Sequence, residues 1–324
     1  MIMLSGEKPA IASSIDGKFV LKNKSLDDEW LNTLLSLNPV YLDLSNNDLF
    51  GFLSSTALAI LETGRLQVLN LAQNKLNFSS MRQLAWALRK NTSLKELDVS
   101  GNSLGSDGAS CLLDAIARNP NTGLESLNLA DNAIDSIDRN IINSFISYNK
   151  TLKVLTLDNN ALDTPSSDDL TLTTLLSALA VNDTLIKLSL RNINLQYPHF
   201  QAMISGLSSN NSLQELDLSG SLSNLSHHAI GCLLQTLNAK HSFTLNLGTI
   251  SQSLASYLTD NIPLLRAVKL NATSPDWSLN KKLQQYCQPT PAKRRAELFR
   301  SWDEYRQKDN YNNVIVFQPP ALLK

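Results

Sequence analysis

Four histidines, three cysteines and a handful of glycines are the residues of this 324-residue chain whose chemistry deserves testing first. A metal site needs His, Cys or carboxylate ligands at short, regular spacing. His199, His227, His228 and His241 have no such spacing against one another, against carboxylates, or against Cys111, Cys232 and Cys287. A phosphate cradle needs glycines at fingerprint spacing ahead of a helix. Gly101, Gly105 and Gly108 match neither fingerprint and read as turn residues. No Gly-x-Ser-x-Gly elbow is present, and no His is placed beside a nucleophile. The expectation is a non-enzymatic chain with no catalytic residue, no metal and no cofactor.

The elements that could position any binding residue follow from a repeated frame, Leu-x-x-Leu-x-Leu-x-x-Asn-x-Leu. It occurs at Leu66-Leu69-Leu71-Asn74-Leu76, Leu94-Leu97-Val99-Asn102-Leu104, Leu124-Leu127-Leu129-Asn132-Ile134 and Leu152-Leu155-Leu157-Asn160-Leu162. Pro39-Leu42-Leu44-Asn47-Leu49 is the same frame with Pro first. Anchored on the second apolar position, the units fall at Leu42, Leu69, Leu97, Leu127, Leu155, Leu188, Leu216, Leu245 and Val268. The intervals are 27, 28, 30, 28, 33, 28, 29 and 23 residues, with Phe19-x-Leu21 and Leu26 as a degenerate first unit. Between frames, apolar residues recur at helical spacing: Met81, Leu84, Ala85 and Leu88, then Leu112, Leu113 and Ile116. Ser79, Ser106, Ser136 and Ser226 are placed to cap these helices. Asn47, Asn74, Asn102, Asn132 and Asn160 should form a buried ladder that satisfies the backbone leaving each strand. Its later positions, Ile193, Ser221, Ile250 and Thr273, break the series, so looser turns are expected there.

A strand-and-helix unit of about 28 residues with this frame resembles the ribonuclease-inhibitor-like class of leucine-rich repeats, over about residues 19–275. The resemblance implies an α/β solenoid of about ten units, a curved horseshoe with a parallel sheet on its concave face and helices on its convex face. Strands stack about 4.8 Å apart and helices are about 10 Å across, which bends the stack toward the strands. It also implies a protein-binding role. The same class includes Ran GTPase activators, which act through residues at strand-end loops. Arg191, beside Asn192 at a strand exit, is the residue here that could do comparable work, although those proteins tend to carry an acidic tail and this chain ends basic and aromatic. The recurrent Asn-x-Ser/Thr-Leu-x-x-Leu-x-Leu phrasing further resembles leucine-rich-repeat effectors of intracellular bacteria. That likeness implies action in a host cytoplasm. The functional expectation is a protein-protein interaction module, with regulation of a small GTPase as the alternative.

Side chains at the third, fifth and seventh frame positions should project from the open face of the sheet. The residues expected to meet a partner there are Tyr41, Asp43, Asn70, Asp98, Asn128, Asp158, Lys187, Arg191 and Asp217. This polar, mildly acidic floor carries few of the aromatic and Arg anchors that dominate interfaces. Either it binds a basic partner through many modest contacts, or the contact lies on an edge, the loop at 163–169, or a terminus. Trp86 is expected to pack sideways on the neighbouring helix.

Lys plus Arg number 28 and Asp plus Glu 29, so no chain-wide positive field for nucleic acid or anionic membrane exists. Three distant cysteines argue against disulfide caps, and Cys111 and Cys232 are expected as buried thiols. The opening residues lack a basic n-region and a sufficient apolar run, and no stretch reaches the roughly 18 residues of a membrane span. A cytoplasmic monomer is therefore expected. Four Asn-x-Ser/Thr sequons, at Asn91, Asn149, Asn182 and Asn210, occupy one repeat position and read as left-handed helix ends rather than glycosylation sites. The expected organisation is a segment 1–18, a solenoid 19–288, and a capping helix and tail 289–324.

Overall fold

The computed structural model describes residues 17–22, 33–34, 36–49, 61, 64–162, 171–240, 242–261, 268–286 and 315–316. Strands β1 (Lys18–Val20), β2 (Tyr41–Asp43) and β3 (Val68–Asn70) open the chain and are followed by helix α1 (Phe78–Leu88). Strand and helix then alternate: β4 (Glu96–Asp98), α2 (Gly105–Ala117), β5 (Ser126–Asn128), α3 (Arg139–Tyr148), β6 (Val154–Thr156), α4 (Thr171–Ala178), β7 (Lys187–Ser189) and α5 (Tyr197–Ser209). They continue as β8 (Glu215–Asp217), α6 (His227–Asn238), β9 (Phe243–Thr249), α7 (Gln252–Asn261), β10 (Val268–Thr273) and α8 (Trp277–Tyr286), with β11 (Ile315–Val316) last. All strand pairs are parallel, and the order in the open sheet runs from β10 down to β1 and then β11.

One continuous core lies between sheet and helices. Strand leucines such as Leu42, Leu69, Leu97 and Leu127 pack with Leu84, Leu112, Ile142 and Leu175 from the helices, all fully buried. Each such side chain contributes about 1.5–3 kcal/mol, but only because both neighbouring units cover it. In-register pairing of Leu42 with Leu69, Leu69 with Leu97 and Leu97 with Leu127 keeps like residues stacked through the arc.

Several details depart from the sequence reading. In β10, Leu270 pairs with Leu245, and Val268 pairs two residues earlier with Phe243. The larger, fully buried Leu270 fills the core and Val268 is only partly buried, so the last interval is longer than expected. Of the four serine caps, only Ser226 caps a helix, accepting the Ala229 amide at 3.2 Å. Asn77 caps α1 and Asp138 caps α3, both being Asx side chains closer to the true helix start. Ser106 lies inside α2 and accepts the Asp135 and Ser136 amides of the next unit at 3.1 and 2.9 Å. Cys111 and Cys232 are half-buried, because both lie on helix flanks rather than in the core stripe. The Cys111 thiol is nonetheless pushed up by burial. Within the segment 289–324, expected as a capping helix and tail, Ile315 and Val316 form β11, which pairs with β1 at the N-terminal end of the sheet. The loop at 163–169, Leu26, Cys287 and residues 289–314 of the expected capping helix and tail lie outside the described residues.

The sequon asparagines are not in the left-handed conformation. Asn149 and Asn210 have φ −68° and −73° with extended ψ. They belong to a second buried ladder at the helix ends. The Asn210 Nδ2 donates to the carbonyls of Leu179 and Asn182 at 2.8 Å each, and its Oδ1 accepts the Leu213 amide at 2.8 Å. Asn119 does the same toward Leu88 and Asn91, at 2.8 and 2.7 Å. Lys240 takes the next place in this series, its ammonium donating to the Asn210 carbonyl, and burial lowers its pKa.

Candidate protein-binding surface

The turn leaving each strand sets the geometry of the open face. Asn46, Gln73, Asp131, Asn159 and Asn192 adopt φ between 53° and 61°, a left-handed conformation that costs a non-glycine residue energy. In the first four, the buried asparagine that follows holds this turn closed. The Asn74 Nδ2 donates to Leu44, Leu71 and Ala72 carbonyls at 2.9, 3.0 and 3.1 Å, and its Oδ1 accepts the Asn47 amide at 2.8 Å. Asn102 and Asn160 repeat this pattern, each Oδ1 accepting two amides of the preceding unit. Asn47 and Asn132 donate in the same way, but the Asn132 Oδ1 has no partner among the described residues. Where the series was expected to break, Ser221 substitutes. Its hydroxyl donates to the Leu190 carbonyl at 2.6 Å and accepts the Ile193 amide at 3.0 Å.

The fifth and seventh frame positions form a second device that the sequence reading missed. Asp43, Asp98 and Asp217 each accept both the amide and the hydroxyl of a serine two residues on, Ser45, Ser100 and Ser219, with hydroxyl distances of 2.7, 2.6 and 2.6 Å. Asn70 and Asn128 accept only an amide, from Ala72 at 2.9 Å and Ala130 at 3.1 Å. The signal was legible: Asp-x-Ser and Asn-x-Ala alternate at one frame position. These carboxylates brace the strand exit before they can meet a partner.

All nine expected contact residues lie on one face of the sheet, along β2 to β8. They differ in accessibility. Tyr41, Asp43, Asn70 and Asp98 are buried, Asn128, Asp158, Lys187 and Asp217 are half-buried, and Arg191 is exposed. Charges on the face are largely paired. Lys22 reaches Asp43 at 3.1 Å, and Lys187 reaches Glu215 at 3.2 Å. Glu215 also accepts the Asn246 amide nitrogen at 3.1 Å, continuing a polar row to Asn271. Burial pushes the Asp158 carboxyl above its ordinary range, against the opposing pull of hydrogen bonds from the Ser189 hydroxyl at 2.6 Å and the Arg191 amide at 2.9 Å. That amide bond and the Asn159 amide donating to the Arg191 carbonyl fix the Arg191 backbone, while its guanidinium has no hydrogen bond or ion pair among the described residues. Among those residues no cluster could hold a metal ion, and no helix is long and apolar enough to cross a membrane. His199 accepts the Gln196 amide as part of a helix cap, His227 stacks on Tyr257, and His228 lies 3.7 Å from Cys232, so three histidines have local packing partners.

A parallel open sheet, one helix per unit from β3 to β10 and an asparagine-closed turn together define a leucine-rich-repeat solenoid. A family model described as Leucine Rich repeat matches residues 90–113. Over 125 residues the chain is 34% identical to NACHT, LRR and PYD domains-containing protein 14 of Mus musculus, covering 38% of this chain and 12% of that protein. It is 30% identical over 181 residues to the ribonuclease inhibitor of Sus scrofa, covering 55% of this chain and 38% of the inhibitor. The chain thus spans well under half the length of these relatives. The crystal structure of the leucine-rich repeat-containing protein LegL7 from Legionella pneumophila superposes with a TM-score of 0.51 at 16% identity, over 84% of this chain and 99% of that one. The chain has the leucine-rich-repeat solenoid fold and is similar to ribonuclease-inhibitor-like leucine-rich-repeat proteins. Such repeats mediate protein-protein interaction and are typically non-catalytic.

Proposed function

We propose that this chain is a non-enzymatic, monomeric binding module that docks a protein partner on the middle of its concave face, around β5 to β8. Arg191 carries the reading: an exposed guanidinium on a fixed backbone, in the stretch of the floor where neighbouring residues are half-open. Arginine is among the residue types enriched at interface hot spots, since its planar fork engages carboxylates and aromatic faces. The buried Asp43, Asn70 and Asp98 act here as braces, and the partner contacts fall on Asn128, Asp158, Lys187, Arg191 and Asp217. The repeated sequence phrasing supports delivery as a bacterial effector to a host cytoplasm.

Affinity capture from a eukaryotic lysate tests this, using wild type, Arg191→Glu and Val154→Arg. Val154 is half-buried on the same floor. A partner retained by wild type and lost by both variants supports the reading. Equal capture by all three removes the concave face from consideration. GTP turnover by candidate small GTPases separates the alternative, because an acceleration abolished by Arg191→Ala would make the chain a regulator of catalysis.

A further inference from the structure

Aromatic rings on the two sides of the solenoid behave oppositely. Trp86, on α1, is 58% exposed rather than packed on the neighbouring helix as expected, whereas Tyr41, on the open face of the sheet, is only 7% exposed. Tyr41 and Val68 pair in register and, with half-buried Val20, form an apolar cluster separate from the main core. Matched frame positions show that sheet geometry does not cause this burial. Val68 is 7% exposed, while Val154 at the same frame position is half-buried. Asn70 is fully buried and Asn128 half-buried, and Asp98 is buried while Asp217, with the same serine brace, is half-buried. All six residues lie on strands flanked on both sides. The Asn70 Nδ2 has no hydrogen bond among the described residues, so bonding down onto the sheet does not hide it. The floor over β2 to β4 is therefore overlaid, and that over β5 to β8 is open.

We propose that the chain's own segment 287–314 docks on this N-terminal third of the concave floor, over Tyr41, Val68 and Asn70. The path and length of the chain agree. Helix α8 ends at Tyr286 against β10, and β11 begins at Ile315 beside β1, so the chain has returned to the first end of the sheet. Nine strand spacings separate β10 from β1, about 43 Å. The intervening 28 residues can reach about 90 Å, which leaves length to lie across β2 to β4. The chemistry agrees as well. The segment carries Phe299, Trp302, Tyr305 and Tyr311 to meet the apolar cluster. Its six Lys and Arg outnumber its four Asp and Glu, which suits a floor bearing Asp43, Glu96 and Asp98. None of Tyr41, Glu96 and Asp98 stands free. Residues 1–16 adjoin the same end of the sheet, but they contain no aromatic residue and one Lys against Glu7 and Asp16, a poorer match. Tethering at both ends raises the effective concentration of the segment, so modest contacts suffice to hold it. The docking stands whether or not a partner binds at β5 to β8.

Thiol protection in the full chain tests the assignment, with Cys111, Cys232 and Cys287 replaced by Ser. A thiol at Val68→Cys should react with a maleimide about tenfold or more slowly than one at Val154→Cys, since reaction needs local opening. Combined Trp302→Ala and Tyr305→Ala should bring the two rates within about threefold by releasing the segment. Thermal melts confirm that each variant folds. A benzophenone attached at Glu96→Cys identifies the occupant by photocrosslinking and peptide mass spectrometry, with crosslinks expected inside 287–314. Equal reactivity of Val68→Cys and Val154→Cys in the otherwise unaltered chain overturns the proposal, as does protection that survives the Trp302 and Tyr305 substitutions. Crosslinks to residues 1–16, to a second copy of the chain, or to neighbouring strands alone overturn it too.

Discussion

Three positions of the turn ladder should respond differently to alanine, and the difference follows from counting which buried groups keep a partner. In Asn102→Ala, the Leu71, Val99 and Ser100 carbonyls lose the side-chain donor but retain Asn74 Nδ2, Asn132 Nδ2 and the Gln73 amide. The Asn74 and Leu76 amides have no such reserve and are orphaned. Ser221→Ala orphans the Ile193 amide and the Leu190 carbonyl, both in fully buried residues. In Asn132→Ala, the Val99, Leu129 and Ala130 carbonyls keep Asn102 Nδ2, Asn160 Nδ2 and the Gly101 amide, and the lost Oδ1 accepted nothing. Each orphaned buried group costs about 1–3 kcal/mol. Asn102→Ala and Ser221→Ala should therefore each destabilise by about 2–6 kcal/mol, and Asn132→Ala by about 1 kcal/mol from weaker remaining bonds. Urea unfolding followed by circular dichroism measures all three, and Ser221→Thr, which keeps the hydroxyl, controls for side-chain size. If Asn132→Ala costs as much as Asn102→Ala, or Ser221→Ala costs almost nothing, the shared-carbonyl reasoning is wrong.

Other expectations follow from single sites. A Cβ added at Gly206 would come within 2.0 Å of the Leu176 carbonyl, so α5 approaches α4 more closely than any side chain allows. Gly206→Ala should cost about 3 kcal/mol, and a melting temperature within a degree of wild type would contradict that close approach. The folded-state pKa of Asp158 lies above its ordinary value of 3.8, so the unfolded chain ionises first as pH rises. The penalty for ionising Asp158 in the fold is absent below the ordinary value and fully present above the raised one. Asp158→Asn, which keeps an acceptor for Ser189 and Arg191, should thus be stabilising at neutral pH and lose that advantage on acidification. A stability difference independent of pH would exclude the desolvated carboxylate as its cause. Asn210→Ala should lower stability measurably in equilibrium unfolding, because the Leu213 amide loses its acceptor at the end of α5.

The sequence by itself determined the fold. Apolar residues at a fixed frame, separated by helical spacing near 28 residues, permit only units that bury their flanks against one another. It also placed Phe19 correctly in the first strand, where Phe19 pairs with Leu42. What it could not determine was which face residues remain available. Asp43 and Asp98 look like a ligand-facing midline in one dimension, yet once the chain turns one oxygen of each carboxylate holds Ser45 or Ser100 and both residues are buried. Ser221 looked like a gap because its identity differs from Asn, whereas its hydroxyl reaches the same two backbone groups from the adjacent unit. Arg89 and Arg118 were visible separately, but only the packing of α1 beside α2 brings them onto one carboxylate, that of Asp114. Hydrophobic periodicity is a local property and survives in the sequence. Hydrogen-bond occupancy and surface charge depend on neighbours about 28 residues away, and the stacking of units decides them.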